Sequence, residues 1–168
     1  ESLINDTKGL SGLNVTLPYK EQVIKYLDEV DPVAKKIGAV NVIQIKDGKR
    51  MGYNTDSDAF YETLEKWLPK DKPYKALILG TGGSSKAVRE ALDKLKIEYK
   101  IVSRERSKGD LSYEDLKKKP KLTADHRLII NTTPLGMHPN TDTMPPIDYE
   151  KIGEEHYVYD LIYNPART

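Results

Sequence analysis

The stretch that most limits the fold runs from residue 75 to residue 103. Residues 75–79, KALIL, read as a strand of the near-continuous apolar kind that is buried on both faces. Gly80-Thr81-Gly82-Gly83 then makes a tight turn. Ala87, Val88, Ala91, Leu92 and Leu95 recur at the period of a helix, and 99–103 reads as a second strand. Strand, turn, helix and strand within about 30 residues form a βαβ unit, whose two strands run parallel. Strands at 128–131 and 157–162, with a helical segment at 113–119, continue the alternation. The expected architecture is α/β, a parallel and doubly wound sheet.

Upstream the rhythm differs. Leu13, Val15 and Leu17 alternate with Asn14 and Thr16, the period of a strand. Pro18 suits the first position of a helix, and Tyr19, Val23, Leu27 and Val30 follow at helical spacing. Lys20 then falls in a first helical turn, where the macrodipole disfavours a cation. A lysine that exchanges protons has reason to sit there. Asp31 can cap a short helix that opens on Pro32 and closes at Gly38. Strands at 40–46 and 49–54 flank Asp47-Gly48, a two-residue hairpin signal. That turn puts Asn41 opposite Asn54, with Asp56 one diagonal step from Asn41 on the same face. Phe60, Leu64 and Trp67/Leu68 mark a helix, which Asp56 could simply cap, and Asn41 also reads as an ordinary hairpin residue. The polar, proline-bounded PKDKP at 69–73 is a linker. It divides the chain into two α/β domains, residues 1–68 and residues 74–168.

Composition removes several function classes. Lys and Arg number 27 against 26 Asp and Glu, so no charge excess points to nucleic acid or a membrane surface. No apolar run reaches ~20 residues, and no signal peptide is visible. The absence of cysteine excludes disulfides and thiolate chemistry, and fits a reducing compartment. His126, His138 and His156 lack metal-ligand spacing and read as loop or surface residues. The chain opens on Glu1 without an initiator methionine and reads as a piece of something longer.

The turn at Gly80 approximates the dinucleotide fingerprint G-x-G-x-x-G, with Ser85 in the third glycine's place. Its glycines let the backbone approach a pyrophosphate, which the helix N-terminus attracts. NAD sites place an acid about 20 residues further on. Here the run is Ser103-Arg104-Glu105-Arg106-Ser107-Lys108, whose cations suit a 2′-phosphate and point to NADP. A plain glycine turn and an exposed basic loop would give the same letters, and the residues alone leave both readings open.

Six motifs, GLNVTLPYK (12–20), IGAVNVI (37–43), GYNTD (52–56), LGTGG (79–83), NTTPLGM (131–137) and YDLIYNP (159–165), span nearly the whole chain. In order and approximate spacing they resemble shikimate dehydrogenase. The resemblance implies two α/β domains around a cleft, a substrate domain and a Rossmann-like domain holding NADP. It implies reversible reduction of 3-dehydroshikimate to shikimate, in aromatic amino-acid biosynthesis in the cytoplasm. Lys20 and Asp56 would be the catalytic pair, while Asn14, Thr16, Asn41 and Tyr163 would hold the substrate's hydroxyls. Gly80, Gly82 and Gly83 would cradle the pyrophosphate, and Arg104 would meet the adenosine phosphate. Thr132, Pro134 and Met137 would approach the adenine–nicotinamide side. The partners implied are small molecules rather than nucleic acid or membrane, with homodimerisation or self-association left open. The family's N-terminal serine pair and C-terminal glutamine are not among these residues, so the isolated chain is expected to be an incomplete, inactive portion. Two rivals stand beside this reading. Arg104 counts against a quinate/shikimate dehydrogenase using NAD, and the Lys20–Asp56 pair counts against a non-catalytic ligand-binding module.

Overall fold

Two sheets organise residues 9–166, the part of the chain that the computed structural model describes. The first contains β1 (Gly12–Asn14), β2 (Glu29–Val30), β3 (Val42–Lys46) and β4 (Lys49–Tyr53), in the order β1-β3-β4-β2. The β3–β4 hairpin turns on Asp47 and Gly48, both at positive φ (51° and 76°), as a twist-matched two-residue turn requires. Its register, Val42 opposite Tyr53 and Lys46 opposite Lys49, is the one the turn dictates. Helix α1 (Pro32–Ile37) starts where the Asp31 carboxylate accepts from the Val33 N–H at 2.9 Å and ends at Gly38, φ 70°.

The helix expected from Pro18 to Val30 does not form. Residues 18–21 turn, only Gln22–Tyr26 coil as a short 3₁₀ helix, and Glu29–Val30 already pair with β4. The reason is tertiary. Asp28 Oδ2 accepts from the backbone N–H (2.8 Å) and Nε (2.9 Å) of Arg50, and Oδ1 accepts from Nη2 at 2.9 Å. The Asp28 N–H in turn donates to the Arg50 carbonyl at 3.0 Å. This clamp draws the chain onto β4, and Leu27 and Val30 join the small core around Val23, Val40 and Ile43 instead of a helix face.

The Arg50 guanidinium holds the Asp28 carboxyl well below the usual carboxylate range. A depressed folded-state pKa contributes stability above the ordinary value of 3.8 that fades as pH falls through the lowered one. Asp28→Asn is therefore expected to lower the melting temperature at neutral pH, with the gap to wild type narrowing below pH 3.8. A gap that stayed constant down to pH 2 in thermal scans would contradict the clamp.

The second sheet is wholly parallel: β5 (Lys75–Leu79), β6 (Glu98–Ser103), β7 (Leu111–Ser112), β8 (Leu128–Asn131) and β9 (Tyr157–Asp160), in the order β7-β6-β5-β8-β9. Helices α2 (Asp56–Trp67), α3 (Gly83–Leu95), α4 (Tyr113–Lys118) and α5 (Lys121–Asp125) accompany it. On one face Ala76, Ile78, Leu128 and Ile130 pack with Val88, Ala91 and Leu92 of α3 and with Phe60, Leu64 and Leu68. On the other, Leu77, Leu79, Val102 and Ile129 pack with Tyr113 and Leu116. Apolar faces on both sides explain the unbroken apolar strands and make the sheet doubly wound.

α3 also reaches elements that precede it. Lys86 pairs with Glu21 at 2.6 Å, Glu90 with Lys36 at 2.7 Å, and Lys94 with Asp58 at 2.7 Å. His126 corrects an expectation. It is buried, its Nδ1 is 2.7 Å from the Leu122 carbonyl, and desolvation pushes its pKa down. His156 bridges the Thr123 carbonyl and the Gly153 N–H, each at 3.1 Å, whereas His138 is exposed. Among the described residues no group of three His, Cys, Asp or Glu is placed to hold a metal ion, and no helix is long and apolar enough to cross a membrane.

Candidate active site

A cleft of about 420 Å³ opens at the carboxyl ends of β8 and β9, beside the first turn of α3. This is the crevice in which open α/β sheets bind their ligands. Lys20, Asp56, Ser84, Thr132, Met137 and Tyr163 are among its lining residues.

Lys20 Nζ donates to Asp56 Oδ2 at 2.8 Å, and the lysine side chain is only 12% exposed. The other Asp56 oxygen, Oδ1, accepts from Asn41 Nδ2 at 2.8 Å. Asn41 is fixed in turn: its Oδ1 accepts from the Thr55 N–H at 2.9 Å, and its Nδ2 also reaches Thr55 Oγ1 at 2.9 Å. Both carboxylate oxygens are thus oriented. Asp56 is the first residue of α2, where the helix dipole favours an anion, and Thr55 rather than Asp56 occupies the capping position. The Asp47-Gly48 hairpin brings Asn41 to Asp56 as its register requires. Asn54 departs from that face: its buried side chain donates to the Ala39 carbonyl (3.0 Å) and accepts from the Ser57 N–H (3.3 Å).

Lys20 lies in a turn, so the expectation of a place within its own helix fails. It nevertheless meets a helix N-terminus, that of α3. Ser84 Oγ stands 3.5 Å from Nζ, and a Cβ added at Gly83 would come within 3.1 Å of the Lys20 Cβ. Gly83 therefore lets the two segments close on each other. Ser84 went unnoticed in the sequence because it occupies an unspecified position of the glycine fingerprint, and its neighbour lies 64 residues away.

The glycine turn has the shape an anion needs. Gly80 has φ 114°, and a Cβ there would stand 2.7 Å from Thr132 Oγ1. Gly82 precedes α3 with open space where a side chain would be, and among the described residues no side chain caps the helix. The first-turn N–H groups and the dipole's positive end therefore face a free volume, which fits a dinucleotide pyrophosphate. Thr132 is buried, its hydroxyl donating to the Leu79 carbonyl at 2.7 Å. Thr16 lines the cleft, as does Tyr163, which is 79% exposed. Asn14 does not join them; it sits on β1 opposite Val42 in a separate surface depression. Pro134 is exposed outside the cleft lining, and Arg104 is exposed one residue past β6.

Fold and site together define a two-sheet α/β protein in which a dinucleotide-type glycine turn opens onto a lysine–aspartate pair. Residues 2–43 match the shikimate dehydrogenase substrate binding domain. The chain is 41% identical over 179 aligned residues to the shikimate dehydrogenase (NADP(+)) of Methanosphaera stadtmanae, covering 96% of this chain and 62% of that one. In structure it is similar to shikimate dehydrogenase 1 of Peptoclostridium difficile (TM-score 0.84, 38% identity, 99% of this chain and 63% of that one). It is also similar to a quinate dehydrogenase of Corynebacterium glutamicum in complex with NAD (TM-score 0.83, 27% identity, 99% and 65%). Along nearly its whole length the chain is similar to shikimate dehydrogenases, and it spans less than two thirds of the length of these relatives.

Proposed function

We propose that the whole protein is an NADP-dependent shikimate dehydrogenase that interconverts 3-dehydroshikimate and shikimate in the cytoplasm, for aromatic amino-acid biosynthesis. The observation that carries this reading is the hydrogen-bonded series Lys20–Asp56–Asn41 facing the free N-terminus of α3 across one cleft. When bound, NADP(H) supplies or accepts the hydride. Lys20 moves the hydroxyl proton at the same carbon, and Asp56 orients the ammonium by accepting one of its three N–H bonds. Asn41 steadies Asp56 and, with Thr16 and Tyr163, holds substrate hydroxyls, whereas Asn14 stands apart from that cleft. Gly80, Gly82 and Gly83 receive the pyrophosphate, with Thr132 and Met137 towards the nicotinamide side. In this reading residues 1–68 serve the substrate, 69–73 link, and 74–168 serve the cofactor. The partners are small molecules rather than nucleic acid, and self-association is compatible with the site. Steady-state assays following NADPH absorbance with shikimate test the proposal, and no turnover with shikimate would overturn it.

A second reading, quinate oxidation with NAD, is favoured by the likeness to the quinate dehydrogenase. Arg104 discriminates. A charge-assisted contact to the 2′-phosphate is worth roughly 1.5–3 kcal/mol. Arg104→Ala is thus expected to raise the Michaelis constant for NADP by ~10–100-fold and to leave that for NAD little changed. Equal losses for both cofactors would assign Arg104 a structural role.

A further inference from the structure

Lys20 is held against the first turn of α3 from more than one side. A Cβ added at Gly83 would lie 3.1 Å from the Lys20 Cβ and 3.5 Å from its Cδ, so the lysine stem rests on that glycine. Glu21, the next residue, pairs with Lys86 at 2.6 Å. Between these contacts Ser84 Oγ stands 3.5 Å from Lys20 Nζ, while Asp56 Oδ2 accepts from the same ammonium at 2.8 Å. The serine contact therefore sits at the outer limit of a hydrogen bond, about 0.5 Å longer than a fully made one.

That looseness has a chemical meaning. An ammonium carries three N–H bonds, and with one acceptor the flexible lysine can still swing about that contact. A second acceptor fixes where the third N–H points. Ser84 makes no other side-chain hydrogen bond among the described residues, so its own O–H is uncommitted. A hydroxyl that accepts from an ammonium still has its proton to donate. Once it donates, it becomes a stronger acceptor, because hydrogen bonds in series polarise one another. In the dinucleotide reading, the turn that carries Ser84 is the one that receives the pyrophosphate.

Resting on that reading, we propose that Ser84 is a positioning residue through which cofactor binding aligns Lys20. Ser84 donates its proton to a cofactor phosphate, and its oxygen then draws in the Lys20 ammonium. Asp56 and Ser84 together hold two of the N–H bonds, and the remaining one is left to meet the substrate hydroxyl. Affinity for the substrate thereby rises once the cofactor is in place, and by linkage the substrate tightens the cofactor equally.

Shikimate and NADPH form a ternary complex that cannot react, because both are already reduced. Calorimetric titration of the whole protein with shikimate, with and without saturating NADPH, therefore reads the coupling without turnover. NADPH is expected to tighten shikimate about fivefold or more. In Ser84→Ala, NADPH alone is expected to bind about tenfold more weakly, through the lost phosphate contact, and shikimate alone as in wild type. The tightening by NADPH should fall below about twofold in that variant, and Ser84→Thr, which keeps the hydroxyl, should restore it. Weaker NADPH with the tightening intact would make Ser84 a phosphate ligand only and overturn the positioning role. The role is equally overturned by a Ser84→Thr variant that stays uncoupled, or by wild-type protein whose shikimate affinity ignores NADPH. Wild-type protein that fails to bind shikimate, or NADPH, overturns the dehydrogenase reading itself and the inference with it.

Discussion

In the whole protein, on the proposed role of Lys20, Lys20→Ala is expected to lower turnover by about 10²–10⁴, the usual worth of a positioned general acid–base. Lys20 Nζ is the donor to Asp56, and among the described residues no other lysine or arginine lines the cleft. Water cannot substitute fully, because the ammonium is placed by the Asp56 carboxylate, whose other oxygen is itself held by Asn41. Folding should survive: Lys20 anchors its turn through its backbone carbonyl, which accepts from the Val40 N–H at 2.7 Å whatever the side chain. Steady-state kinetics together with far-ultraviolet circular dichroism check both statements. Turnover within a few-fold of wild type, in a folded variant, would remove Lys20 from the chemistry.

The largest effect on stability is expected at Leu64. It is fully buried in α2, packed between α3 and the face of the parallel sheet carrying Ile78 and Leu128. Truncation to alanine removes three buried carbons and leaves a cavity that helix and sheet cannot collapse around independently. The usual cost is about 2–5 kcal/mol, against a total of about 5–15 kcal/mol for a domain. The midpoint of urea unfolding should fall accordingly. A loss below about 1 kcal/mol would mean that α2 is not seated on the sheet in solution. Because α2 begins with Asp56, the same packing that stabilises the parallel sheet also fixes one half of the Lys20–Asp56 pair.

Much of this was legible in the sequence, for a physical reason. The Asp47-Gly48 hairpin, the Asp31 cap and the Gly80–Gly83 turn are set by residues a few positions apart, so their letters suffice. Asn41 could be placed near Asp56 because hairpin register propagates rigidly from the turn. What failed depended on distant residues. The helical spacing after Pro18 lost to the Arg50–Asp28 clamp, a contact across 22 positions. Asn54 turned inward because the Ala39 carbonyl and the Ser57 N–H needed a partner. His126 was buried because the end of α5 folds under it. The setting of Lys20 changed most: the helix terminus it faces belongs to α3, which no periodicity near residue 20 announces.

The three ion pairs along α3 have a consequence beyond their individual strengths, which for partly exposed pairs are small. Read along the helix the charges run positive, negative, positive at Lys86, Glu90 and Lys94, and their partners Glu21, Lys36 and Asp58 run in the opposite sense. The spacing of four residues is close to one helical turn, about 5.4 Å. Sliding α3 by one turn would set Glu21 against Glu90 and Lys36 against a lysine, so every offset of that size opposes like charges. Apolar packing alone tolerates such slips, because leucine, valine and alanine offer similar surfaces one turn apart. The alternation therefore works as a vernier: it admits a single alignment of helix and surroundings, and with it a single distance between the glycine turn and Lys20.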